Sequence, residues 1–170
     1  MGTSYEYYRA ADSDAALVDP ETPRVIEPGV TRGFDAVDAG KIDPESEFCD
    51  LVALVLDAPR SQGLLGLTYL YPPPEGAPRS LEEADALPED SPYLIGPGIA
   101  EFAVHVRDAL AGIDDERLSA LAIQWSETEQ FTQYRGVDSQ DLLLLIEDFV
   151  GLARRAKDND QMLYCWMGGW

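Results

Sequence analysis

The chain has 170 residues, 45% of them hydrophobic and 26% charged, which suits one globular domain and is too apolar for a disordered chain. Twelve Lys and Arg stand against thirty-two Asp and Glu, a net charge of −20 at pH 7. Phosphate backbones and anionic lipid surfaces are held by clustered cations, so this balance argues against direct nucleic-acid binding and against a membrane.

The opening residues, Met1 to Glu6, have neither a basic stretch nor an apolar run, so no secretory or transit signal is expected. Glu6 also stands where a myristoylation motif wants Ser or Thr. No apolar run approaches the roughly 20 residues of a bilayer-spanning helix, and a cytoplasmic location is expected. Ser4 to Arg9 is aromatic and partly alternating, the pattern of a half-buried strand. Residues 11 to 42 are rich in Asp, Gly and Pro, contain only short apolar pieces such as Arg24-Val25-Ile26, and read mostly as loop with one short strand. Asp43 then makes a good N-cap, with Pro44 at the first helical position and Glu45 at the positive helix end. Phe48, Leu51, Val52 and Val55 follow at helical spacing until Pro59.

Leu64 to Tyr71 is β-prone, with Leu65, Leu67, Tyr69 and Tyr71 on one face. Pro72-Pro73-Pro74 ends it, and residues 72 to 97 form an acidic, Pro-rich excursion with a short helical turn after Ser80 that carries Glu82 and Glu83. After Pro97 the apolar positions Ile99, Phe102, Ala103, Val106, Leu110 and Ile113 predict one amphipathic helix. Asp114 or Asp115 caps a shorter helix carrying Leu118 and Leu121, and Ala120 to Trp125 ends in a strand. Asp138 or Ser139 caps a long helix that turns Leu142, Leu145, Ile146, Phe149, Leu152, Ala153 and Ala156 inward, with Arg154, Arg155 and Lys157 at its negative end. Gln161 to Met167 is a last, aromatic strand. The expected class is α+β: a small mixed or antiparallel sheet from the Tyr5, Leu67 and Tyr164 segments, covered by three to four helices in a single domain spanning 1–170.

Few constellations carry chemistry. His105 is the only histidine and lies beside an apolar stripe, no G-x-S-x-G elbow surrounds a serine, and no glycine pattern cradles phosphate, so no catalytic residue and no cofactor are assigned. Cys49 and Cys165 read as small core residues, and no C-x-x-C pair exists. Asp35-x-x-Asp38 with Asp43, or Glu127-x-Glu129, are the pieces from which a hard-metal site could be assembled, but with so many acids a solvated face is the simpler reading and no metal ligand is assigned.

The segment Trp125-Ser126-Glu127-Thr128-Glu129-Gln130-Phe131 is the most distinctive. It places a large aromatic beside hydroxyls and carboxylates, as a ligand-pocket rim does, so Trp125, Ser126, Glu127 and Glu129 are the candidate ligand-binding residues. The structural alternative has Trp125 plugging the core while Ser126 or Thr128 caps a turn. The aromatics Tyr5, Tyr7, Tyr8, Tyr69, Tyr71, Tyr164 and Trp166 all fall on predicted strands, and are expected to make one aromatic sheet face lying under the helices.

Together with Leu152-Ala153-Arg154-Arg155-Ala156, the terminal Leu163-Tyr164-Cys165-Trp166, and Phe34 to Asp38 followed by Lys41 to Pro44, the Trp125 segment resembles a group of small, acidic, uncharacterised actinobacterial proteins. Ten Arg against two Lys, with abundant Ala, Asp, Gly and Pro, agree with a GC-rich bacterial genome. In size and in its final helix and strand the chain is also similar to the YfbM-like bacterial proteins. Neither group supplies an activity. The expected function is that of a non-enzymatic binding or regulatory protein whose acidic surface meets a basic protein partner. The alternative is a small-molecule binder or metal-dependent enzyme with a cleft around Trp125.

Overall fold

A computed structural model describes residues 2–25, 33–133 and 137–169. Its strands are β1 (Ser4–Ala10), β2 (Ala36–Asp38), β3 (Thr68–Tyr71), β4 (Gly98–Glu101) and β5 (Met162–Gly168), joined in one antiparallel sheet of order β2-β1-β5-β4-β3. The two longest strands sit side by side at its centre, Ser4 opposite Gly168 and Ala10 opposite Met162. Alternation along each strand sends Tyr5, Tyr7, Leu163 and Cys165 to one face and Tyr8, Ala10, Tyr164 and Trp166 to the other.

The first face carries the main core. It is covered by α2 (Glu47–Leu56), α4 (Val104–Ala111), α5 (Leu118–Ser126) and α7 (Ser139–Asp158). Tyr7 stands at its middle, 4.7 Å from the Phe48 ring centroid and 4.9 Å from that of Phe149, which meets it edge-on. α7 begins where the sequence places it: the Asp138 carboxylate accepts the Gln140 amide, and Leu142, Ile146, Phe149 and Ala153 face inward. Cys49 and Cys165 are free and buried.

The second face is closed without a long helix. The short α1 (Ser13–Ala16), capped by Asp12, and the chain up to Val25 fold across it. Arg24 fastens this cover: it is 2% exposed and donates to the carbonyls of Val18, Asp19 and Ala16. Its guanidinium carbon lies 5.1 Å from the Tyr8 ring centroid and 4.7 Å from that of Phe34. The Trp166 indole N–H adds a hydrogen bond of 2.9 Å to the Pro20 carbonyl, and the Glu6 carboxylate accepts the Arg24 and Val25 amides.

The α+β class, the antiparallel sheet and the helical cover agree with the sequence reading, whereas several local expectations are corrected. The helix expected from Pro97 is interrupted: residues 98–101 form β4 between β5 and β3, and helix resumes at Val104. A short strand with neighbours on both edges is buried on both faces, so Ile99, Ala100 and Phe102 show no period-two pattern. The strand expected over 64–71 survives only as β3. Leu64 to Leu67 turn instead, with Gly66 at φ +55° and the Leu65 carbonyl taking the Ala103 amide.

Residues 120–125 are helical throughout, as part of α5. The α-helix after Asp43 starts at Glu47, preceded by a turn in which the Asp43 carboxylate accepts the Glu45 amide and its carbonyl those of Ser46 and Phe48. The one short strand expected within residues 11 to 42 is β2, while Arg24 and Val25 are not strand residues and Ile26 lies outside the described residues. The aromatics do not share a face. Tyr5 and Tyr7 belong to the helix side, Tyr8, Tyr71, Tyr164 and Trp166 to the other, because odd and even positions of adjoining strands diverge.

Candidate functional site

Trp125 is 0% exposed, so its ring offers no surface to a ligand. It lies on the inner side of α5, meets Phe131 edge-on at 5.1 Å, and donates from Nε1 to the Glu47 carbonyl at 2.7 Å. The next residues close the helix. Ser126 donates to the Ile123 carbonyl at 2.6 Å, Thr128 donates to that of Trp125 at 2.7 Å, and α6 (Glu129–Thr132) follows. Glu127 and Glu129 are exposed and do not converge with the indole. The structure therefore places Trp125, Ser126, Glu127 and Glu129 at one helix end, with the tryptophan inward and the carboxylates outward.

A cavity of about 630 Å³ lies on the other side of Phe131. Its apolar wall is Ile42, Phe131 and Val137; its polar wall is Tyr5, Asp43 and Glu47. The Tyr5 hydroxyl donates to Asp43 Oδ2 at 2.6 Å, and burial together with that carboxylate raises the phenol well above its ordinary pKa. Glu47 is 7% exposed, and its Oε2 accepts the Asp43 amide at 3.0 Å. Lys41 lines the cavity as well and donates to the carbonyls of Gly2 and Thr3 at its rim. The sequence marks Asp43 as a helix cap and as one acid of a candidate hard-metal set, not as a cavity residue. Glu47 carries no sequence signal beyond that of any acid in a first helical turn.

Asp35, Asp38 and Asp43 separate. Asp35 is held by Arg9 and Arg155, which lower its pKa, Asp38 accepts the Gly40 amide, and Asp43 lies at the cavity. Among the described residues no three His, Cys, Asp or Glu side chains gather closely enough to hold a metal ion. His105 Nε2 lies 2.6 Å from the Leu64 carbonyl and braces the turn before β3.

The acids of the 72–97 excursion are arranged differently. Glu75, Glu82, Glu83, Asp85, Glu89 and Asp90 stand there against Arg79, and among the described residues none of them enters an ion pair. Among the described residues the cations outside the excursion are engaged by groups of the chain itself. Arg9 and Arg155 meet Asp35, Arg60 meets Asp50, Arg107 and Lys157 meet Asp108, and Arg154 meets Asp115. Arg117 donates to the carbonyls of Leu54 and Val55 at the end of α2. The excursion has defined structure: the Tyr93 hydroxyl donates to the Pro73 carbonyl at 2.6 Å, and α3 (Leu81–Asp85) is capped by Ser80, whose hydroxyl accepts the Glu83 amide. Leu81 is 85% exposed beside Glu82 and Glu83.

No family model, no curated protein and no solved structure matches the chain. No helix among the described residues is long and apolar enough to cross a membrane.

Proposed function

We propose that the protein is a non-enzymatic binding or regulatory protein of the cytoplasm that meets a basic protein partner through its acidic surface, with the 72–97 excursion as the contact. The observation that supports this is the uneven use of charge among the described residues: the cations outside the excursion serve carboxylates and carbonyls of the chain itself, while the excursion keeps six acids and no ion pair. Such a surface raises the encounter rate with a basic partner and disfavours acidic ones, most strongly at low salt. Leu81 supplies an apolar anchor in the midst of the charge. Kinship with the small acidic actinobacterial proteins belongs to the same proposal and carries no activity with it.

The test is retention of partners from native lysate at low and high salt by three baits. These are the wild type, an excursion variant with Glu82→Lys, Glu83→Lys and Asp85→Lys, and a control with Asp14→Lys, Glu127→Lys and Asp158→Lys. A basic protein held at low salt by wild type and control, and lost by the excursion variant, is the expected result. Retention of nothing, or equal loss in both variants, defeats the proposal.

A further inference from the structure

The cover of the second sheet face is bonded chiefly within itself. Every backbone–backbone hydrogen bond of residues 12–25 among the described residues is internal: the amides of Ala16, Leu17, Val18 and Thr22 go to the carbonyls of Asp12, Ser13, Ala15 and Asp19. The Arg24 guanidinium adds bonds to the Val18, Asp19 and Ala16 carbonyls, which belong to the same segment. Toward the rest of the chain the segment has no backbone ladder and no ion pair among the described residues, only pins made by side chains. Tyr8 donates to the Ala16 carbonyl at 2.7 Å, Trp166 to that of Pro20 at 2.9 Å and Tyr71 to Glu21 Oε1 at 2.6 Å, while Glu6 accepts the Arg24 and Val25 amides. The cover brings only Ala15, Ala16 and Leu17 to the apolar cluster there, against Tyr8, Ile99, Tyr164 and Trp166 from the sheet. Two buried polar atoms of this region, Arg24 Nε and Tyr164 Oη, have no hydrogen-bond partner among the described residues. Water reaches both once the cover lifts, which favours the lifted state.

The geometry points to residues 12–25 as a hinged cover: a body stiffened by its own hydrogen bonds, which lifts from the second face as one unit while the sheet and the first-face core stay folded. Lifting uncovers the rings of Tyr8, Tyr164 and Trp166, so the device exposes an aromatic sheet face without global unfolding. One edge of the cover is tied through Glu21 to Tyr71, the last residue of β3 before the acidic excursion, so its seating depends on the neck of that loop. The cover works in this way whatever the excursion meets.

The experiment is native-state hydrogen exchange of the uniformly ¹⁵N-labelled full chain in increasing, sub-denaturing urea, followed amide by amide. Ala16, Leu17, Arg24 and Val25 report the cover, and Val150 and Ala153, inside α7, report global unfolding. Relative to their intrinsic rates, the four cover amides are expected to exchange at least about tenfold faster than the α7 pair. They do so through one common opening whose urea slope is above zero and below that of global unfolding, as a partial exposure of surface requires. Two variants separate the cover from the whole. Ile146→Val loosens the first-face core and is expected to speed Val150 and Ala153 roughly twofold to tenfold while leaving the cover amides unchanged, because the lifted state keeps that core. Tyr71→Phe deletes the pin to Glu21 and is expected to speed all four cover amides by one shared factor, roughly twofold to tenfold, the worth of one hydrogen bond. Cover amides that follow Ile146→Val as α7 does, that exchange without urea dependence, or that answer Tyr71→Phe singly or not at all overturn the inference.

Discussion

Arg24 offers the sharpest test of how the second face of the sheet is held. Replacing it with Met keeps much of the apolar stem over Tyr8 and Phe34 while deleting the donors to the Val18, Asp19 and Ala16 carbonyls. Hydrogen bonds from a charged donor contribute roughly 1.5–3 kcal/mol each, but three on one group do not add, and the variant is relieved of desolvating a guanidinium. The guanidinium Nε has no hydrogen-bond partner among the described residues, so part of that desolvation is uncompensated in the wild type. A net loss of about 3 kcal/mol is therefore expected for Arg24→Met, and about 4 kcal/mol for Arg24→Ala, which also removes the stem. In a chain of this size the first corresponds to a fall in Tm of roughly 6–12 °C. Urea unfolding followed by far-UV circular dichroism gives the free energy, and near-UV dichroism at the Trp166 and Tyr164 bands reports whether the cover has lifted. An Arg24→Met protein within about 0.5 kcal/mol of wild type refutes the reasoning, since that is the range of an ordinary surface substitution.

Asp57 ends α2 in the left-handed region, at φ 51° and ψ 46°, and places a carboxylate at the negative helix end. Asp57→Gly removes both penalties and is expected to raise stability by about 1 kcal/mol, read as a higher urea midpoint with unchanged slope. Gly66→Ala acts in the opposite direction: a Cβ there falls 2.6 Å from that of Ala103 at φ +55°, and a loss of at least about 1–2 kcal/mol is expected by thermal melting. Trp125→Phe removes the indole donor to the Glu47 carbonyl and shrinks the ring, costing about 1–3 kcal/mol by the same assay. The Arg155 and Arg9 guanidiniums lower the Asp35 pKa in the folded state, so its ion pairs stabilise the protein above the ordinary carboxylate pKa and are lost as pH falls through the depressed value. The difference in urea midpoint between wild type and Asp35→Asn is accordingly expected at neutral pH and to vanish in strong acid; a difference that persists unchanged there contradicts the assignment.

Elements marked by a helical stripe or by an aromatic, β-prone run were legible. α7 shows its apolar stripe and its Asp138 cap in the sequence, and β1 and β5 show their aromatic runs. β4 was not, because it is only four residues long and Ile99, Phe102, Ala103 and Val106 happen to fall at helical spacing across its end. Arg24 was illegible for a different reason: nothing in a Pro- and Asp-rich stretch marks an arginine as interior, since its place depends on carbonyls gathered from Ala16, Val18 and Asp19 only after folding. At the candidate site, the Trp125 segment correctly marked a structural junction, yet the carboxylate beside the cavity is Glu47, 78 residues away from the tryptophan that bonds its backbone. Glu127 and Glu129, adjacent in sequence to that tryptophan, face solvent because a helix end turns successive residues in different directions.

The central pairing of β1 with β5 also governs when this protein can fold. Ser4 and Gly168 are 164 residues apart and hydrogen-bonded, so the middle of the sheet cannot close until nearly the whole stretch between them has left the ribosome. At roughly 5–20 residues per second, a nascent β1 waits on the order of ten to thirty seconds for its partner. During that time Tyr7 and Tyr8, the heart of the two cores, have only the short β2 beside them, and the strand edge that β5 will occupy stands open to other chains. Closure of the sheet is thus a late event dominated by one long-range pairing, and a chain cut short before Met162 is left with the inner edge of its first strand unshielded.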